Sequence, residues 1–116
     1  MLRQVRLEVA RGHEFPDGSV EHGYEMTLPL TPDGHLDREA FLHHRNQVGF
    51  RRFWGHAEER GHLIHGRRGW GLSFQAGDTS DEVIFKGDMH RFAVGEYISI
   101  AERDGVTRTF RVVSLH

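Results

Sequence analysis

One stretch of the sequence decides the fold class: VEHGYEMTLPL, residues 20–30. Successive side chains in this stretch alternate between apolar and polar types, which is the period-2 pattern of a half-buried β-strand. One face carries Val20, His22, Tyr24, Met26, Leu28 and Leu30, and the other carries Glu21, Gly23, Glu25 and Thr27. The pattern predicts a strand with its first face in the core and its second face in water.

The segment before this strand has the same alternation. Val5, Leu7 and Val9 alternate with polar residues, and residues 15–18, Phe-Pro-Asp-Gly, follow with typical turn chemistry. Proline restricts φ in such a turn, and glycine accepts a positive φ. We therefore predict that the first two strands form an antiparallel hairpin.

Further short apolar runs continue to the end of the chain. Residues 50–54 form a short apolar run interrupted by two arginines. Predicted strand segments are residues 62–65, 70–75, 83–86, 89–94, 97–101 and 106–115, with an exposed loop at 77–82. Segments 62–65 and 70–75 flank a turn and are predicted to form a hairpin. Short strands separated by turns are typical of all-β folds, so the prediction is a mainly β domain: a small antiparallel β-barrel or β-sandwich of about seven or eight strands. A chain of 116 residues has the length of one domain, which we assign to residues 1–116.

One α-helix is predicted between the second and third strands. Asp37 is a suitable N-cap, since its carboxylate can accept a hydrogen bond from a free backbone amide. The helix is expected over residues 38–48, with Ala40, Phe41, His44 and Val48 on its buried face. Gly49 is expected to end it in the left-handed conformation.

The last hairpin contains the turn Asp104-Gly105, and its register can be predicted. A two-residue loop would place Ile98 opposite Arg111 and mix buried with exposed positions. A type I turn with Gly105 as a bulge shifts the pairing by one residue and places Ile98 opposite Phe110. We predict the bulged register.

Composition limits the possible functions. The chain has no cysteine, which excludes disulfides, thiolate metal sites and cysteine nucleophiles. Its formal charge of −2 does not indicate a nucleic-acid or membrane partner. No apolar run approaches the ~20 residues needed to cross a bilayer, and the alternating N-terminus does not resemble a secretory signal. We expect a cytoplasmic, soluble protein, for which a homo-oligomer stays possible.

Ten histidines are present, and alternation places His22, His62 and His90 on faces that also carry apolar residues. If these three imidazoles converge, they can bind a divalent ion such as zinc and leave one position for water. A metal-dependent enzyme is therefore one hypothesis. Semi-buried, hydrogen-bonded histidines without metal are the alternative.

A second group, which we call the Arg-aromatic group, combines arginines with aromatic rings and consists of residues 50–54 with Arg60, Arg67, Arg68 and Trp70. Such interleaving occurs in proteins that bind single-stranded nucleic acid, although the overall charge does not favour that partner. Tyr24, Arg52, Trp54 and Trp70 are the candidate ligand-binding residues. Walker, G-x-G-x-x-G, H-E-x-x-H and G-x-S-x-G motifs are missing. The sequence thus favours a binding or interaction module for a small ligand or a protein partner, over a metal-dependent enzyme or a nucleic-acid-binding barrel.

Overall fold

The computed structural model describes residues 2–67, 69–74, 82–85 and 90–116, and it shows a mainly β fold. The first four strands are β1 (Leu2–Val9), β2 (Ser19–Pro29), β3 (Gly49–Trp54) and β4 (Ala57–Gly66). The others are β5 (Gly69–Phe74), β6 (Glu82–Ile84), β7 (Tyr97–Ala101) and β8 (Thr107–Leu115). A short helix α1 (Arg38–His43) and a 3-10 helix (Arg45–Gln47) connect β2 to β3.

In the described part of the chain the strands form one eight-stranded antiparallel sheet in the order β6-β5-β4-β3-β2-β1-β8-β7. Strands β1 to β6 follow one another as a meander, and the β7–β8 hairpin joins the free side of β1. The sheet curls into a half-barrel, which brings its end strands β6 and β7 near each other. The predicted mainly β, antiparallel fold is confirmed, as a single curled sheet.

The core lies on the inner face of this sheet. The alternation of apolar and polar residues in the sequence predicted most of the core residues correctly. Val5, Leu7 and Tyr24 are almost completely buried. Val20 is an exception, because it is 68% exposed. The β1–β2 ladder shifts register between Glu8 and Val9, so residue 20 lies in an irregular part of the hairpin and leaves the inner face.

The last hairpin has the predicted bulged register. Ile98 pairs with Phe110, and Gly105 has a φ of 84°. The turn is closed by the amide of Gly105, which donates to the carbonyl of Glu102 over 2.9 Å. Ile98 and Phe110 are both fully buried, as this register requires.

The predicted helix over residues 38–48 is too long. The chain leaves the α-helix after His43, and the His44 amide donates to the Phe41 carbonyl, which tightens the backbone toward 3-10 geometry. Phe41 and Val48 are buried as expected, but His44 is exposed. The apolar stripe therefore does not continue through a second helical turn.

Gly49 does not end a helix in the left-handed conformation. It is the first residue of β3, and it does not have a positive φ. A Cβ atom there would lie 2.7 Å from the carbonyl oxygen of Gly61 on β4. The close approach of these two strands, and not helix termination, explains this glycine.

The remaining predicted segments have mixed outcomes. The hairpin of segments 62–65 and 70–75 is present as β4 and β5, and segment 83–86 corresponds to β6. Segment 89–94 is not a strand in its described residues, 90–94, although Phe92 is fully buried there. The predicted loop is wrong at Glu82, which begins β6, and otherwise lies outside the described residues. No described helix is long and apolar enough to span a membrane.

Asp37 caps α1 as predicted: its Oδ1 accepts a hydrogen bond from the Ala40 amide over 3.1 Å. Replacing Asp37 with alanine is expected to lower the free energy of unfolding by about 0.5 to 2 kcal/mol, because this amide loses its acceptor. Chemical denaturation of the two proteins measures the difference. Asp37→Asn is the control, since an asparagine oxygen still caps. Equal losses in both variants would contradict a capping role.

Candidate functional site

Three of the four candidate ligand-binding residues lie together on the inner face of the sheet. Tyr24 on β2 pairs with Arg52 on β3, and Trp54 is two residues further along the same strand. Trp70 lies elsewhere, where its ring contacts Phe41 at 5.3 Å between centroids. The structure thus separates Trp70 from the other three.

A buried carboxylate, Glu102, connects this group to the β7–β8 turn. Its side chain is only 4% exposed. The Tyr24 hydroxyl and the Arg52 Nε both donate to Oε2, the latter over 2.8 Å. Oε1 accepts from Arg52 Nη2 over 3.1 Å and from Arg108 Nη1 over 2.9 Å. One carboxylate therefore joins β2, β3 and β8.

Trp54 packs against both arginines. The guanidinium carbon of Arg52 lies 3.9 Å from the Trp54 ring centroid, and that of Arg108 lies 5.1 Å from it. His22 and Phe15 complete the contacts, with centroids 4.7 and 5.8 Å from that of Trp54. Cations over an aromatic face are stabilising, and more so when they are partly buried.

Electrostatics within the cluster favour the charged arginines and the neutral tyrosine. Burial, reinforced by the neighbouring charge of Glu102, raises the pKa of Tyr24 far above its ordinary value. Burial disfavours the charged form of Arg52, but its hydrogen bonds and ion pair with Glu102 raise its pKa overall. A hydrogen bond to Glu14 is the largest cause that raises the pKa of Arg108. All three groups keep their ordinary protonation state at neutral pH.

We call Tyr24, Arg52, Trp54, Glu102 and Arg108 the inner cluster. We conclude that this cluster braces the fold, because its polar groups form hydrogen bonds with one another. Among the described residues, no buried side-chain nitrogen or oxygen atom lacks a hydrogen-bond partner. Arg52 and Arg108 already bind carboxylates, so their donors are not directed at an open site. Sequence reasoning missed Glu102, although its position two residues after Ile100 continues the inward alternation of Ile98 and Ile100.

The three proposed metal ligands do not share one location. His22 Nδ1 lies 2.7 Å from the Ser19 hydroxyl, and its ring packs on Trp54. His62 is exposed because Leu63, and not His62, faces the core. His90 is half-buried, and burial lowers its pKa. In the part of the chain that the structure describes, no three His, Cys, Asp or Glu side chains are arranged to hold a metal ion.

The outer face of the sheet carries a groove of about 550 Å³. A row of paired residues crosses four strands there: Gln4 on β1, Thr27 on β2, Gly49 on β3 and His62 on β4. Gly49 has no side chain, which leaves a recess between Thr27 and His62. The 3-10 helix contributes Gln47 to the lining, and Arg60 also lines the groove. We call this feature, defined by these six residues, the outer-face groove.

A second row beside the first is charged. Arg6, Glu25, Arg51 and Arg60 pair across the same four strands. Glu25 accepts from Arg51 Nε over 3.0 Å and from Arg6 Nη1 over 3.1 Å. Its hydrogen bond to Arg51 is the largest cause that lowers its pKa. Within this row Glu25 is the one carboxylate beside three arginines, so the other positive charges are paired with carboxylates outside the row.

Three arginines of the Arg-aromatic group are paired with carboxylates. Arg52 binds Glu102, Arg51 binds Glu25, and Arg60 Nη2 lies 2.8 Å from a Glu58 carboxylate oxygen. A nucleic-acid phosphate would have to compete with each of these partners. Arg67 is exposed, and residue 68 lies outside the described residues.

Comparisons of the chain with protein-family models, with curated proteins and with solved structures found no match. A function can therefore be inferred only from the geometry of the inner cluster and of the outer-face groove.

Proposed function

We propose that this domain is a binding module that takes a small hydrophilic ligand in the outer-face groove. One observation carries this proposal: polar side chains with free hydrogen-bonding capacity surround a recess in an otherwise regular sheet. The side chains of Asn46, Gln47 and His62 line the groove and form no hydrogen bond with any described residue. Exposed polar groups that converge on a concave site can orient a ligand.

The size of the groove supports a small ligand. Its volume of about 550 Å³ lies within the usual range for small-molecule sites, roughly 300 to 1,000 Å³. Most of the lining residues of the groove, His62 among them, lie on strands, which hold their side chains in fixed relative positions, while Asn46 and Gln47 come from the 3-10 helix. The inner cluster supports the function indirectly, since it fixes β2 and β3 beneath the groove.

The test is a fragment screen followed by amide chemical shifts in the two-dimensional NMR spectrum of the labelled protein. Hits are expected to shift the amides of Gln47, Gly49 and His62 together. His62→Ala is expected to weaken binding of such a hit about fivefold, the effect of losing about one hydrogen bond.

His56→Ala is the matched control, because His56 is an exposed histidine in the β3–β4 turn and does not line the groove. Its affinity for the same hit should equal that of the unmodified protein. The proposal fails if no fragment shifts the groove amides, or if the His62→Ala and His56→Ala proteins bind the same hit with equal affinity.

A further inference from the structure

The charges beside the outer-face groove compensate one another in pairs. Arg6 and Arg51 both bind Glu25, and Arg6 Nε also lies 2.8 Å from a Glu8 carboxylate oxygen. Glu58 lies 2.8 Å from Arg60 Nη2 and 3.7 Å from Arg51 Nη1. The described network therefore contains three arginines and three glutamates, and its formal charge is zero. Each arginine that lines the groove, Arg51 and Arg60, therefore has a glutamate partner, and the network adds no net formal charge beside the groove.

Outside this network, the polar lining of the groove consists of amide, hydroxyl and imidazole side chains. The Thr27 hydroxyl donates to Gln4 Oε1 over 3.1 Å, which leaves the Gln4 amide nitrogen for a ligand. Asn46 and Gln47 each offer an amide oxygen and an amide nitrogen, and His62 offers an imidazole. Amides both donate and accept, and ligand hydroxyl groups have the same dual capacity. The groove is thus complementary to several hydroxyl groups at once.

Aromatic ligands are not favoured by this lining. Phe50 is the only aromatic ring besides His62 among the described residues that line the groove, and it is only 6% exposed. Flat nucleobases and drug-like rings gain much of their affinity by stacking on exposed aromatic side chains. Phe50 is therefore too deeply buried to serve as a stacking surface in the outer-face groove.

We infer that the ligand is an uncharged, hydroxyl-rich small molecule of the size of a monosaccharide, a disaccharide or a cyclic polyol. This inference rests on the proposed function, and it adds the chemical class of the ligand. We infer a neutral ligand because the charges beside the groove are paired. We infer a hydroxyl-rich ligand because the amide side chains of the groove can both donate to and accept from hydroxyl groups.

Matched probes test the ligand class with the full chain in amide chemical-shift titrations. Methyl β-glucoside, maltose and myo-inositol are the neutral probes, and glucose 6-phosphate and glucosamine are the anionic and cationic ones. We expect at least one neutral probe to shift the Gln47, Gly49 and His62 amides. We also expect its affinity to exceed that of either charged probe by threefold or more.

Variants connect the signal to the proposed contacts. Gln47→Ala is expected to lower the affinity for the best neutral probe about fivefold, and His56→Ala is expected to leave this affinity unchanged. The inference would be overturned if glucose 6-phosphate bound more tightly than the neutral probes and Arg60→Gln abolished that binding. The groove would then be an anion site. If screened fragments bind the groove but no hydroxyl-rich probe does, the ligand class is wrong and the proposed function stands. If neither binds, both are wrong.

Discussion

Replacing Glu102 with alanine is expected to lower the free energy of unfolding by about 3 to 5 kcal/mol, the usual loss when one partner of a buried ion pair is removed. Arg52 and Arg108, whose side chains are only 13% and 10% exposed, would lose their shared carboxylate. The Tyr24 hydroxyl would lose its acceptor at the same time. Urea denaturation followed by tryptophan fluorescence measures the loss.

Glu14→Ala is the matched control, because Glu14 binds the same Arg108 from the exposed side of the cluster. Solvent screens that pair, so its removal should shift the denaturation midpoint much less. Glu102→Gln is a second comparison, since an amide oxygen can still accept from Tyr24. Equal midpoints for Glu102→Ala and Glu14→Ala would show that the buried carboxylate does not brace the strands.

Replacing Phe110 with alanine is also expected to cost about 3 to 5 kcal/mol of stability, the usual cost of emptying a phenylalanine site in a core. Phe110 is fully buried, and its ring meets the Tyr24 ring edge-on at 5.2 Å between centroids. The cavity would therefore lie next to the inner cluster as well as beside Ile98. Thermal and urea denaturation both detect a loss of this size.

Thr109→Ala serves as the comparison for Phe110→Ala, because the neighbouring residue points to the exposed outer face. Its effect should be a small fraction of that of Phe110→Ala, as for most surface substitutions. Similar losses at both positions would contradict the bulged register of the β7–β8 hairpin. Phe110→Leu should recover part of the stability, since leucine fills part of the cavity.

The candidate site was only partly predictable from the sequence. Tyr24, Arg52 and Trp54 do lie together, and alternation on β2 and β3 gives the reason: all three belong to inward-facing positions. What these positions contact depends on Glu102, which comes from a turn 50 residues after Arg52. His62 was assigned to the wrong face, since His62 and Leu63 both fit an alternating pattern and only strand pairing decides between them.

The sequence by itself determined the local features: the alternating strands, the Asp37 cap and the bulged turn at Gly105. Each depends on side chains within a few residues of one another, so local geometry is sufficient. Only the tertiary structure decided which residues come together in the inner cluster and in the outer-face groove. The outer-face groove needs Gln4, Thr27, Gly49 and His62 to be paired across four strands. Such alignment depends on strand order and register, which come from the packing of the whole sheet and not from any single segment.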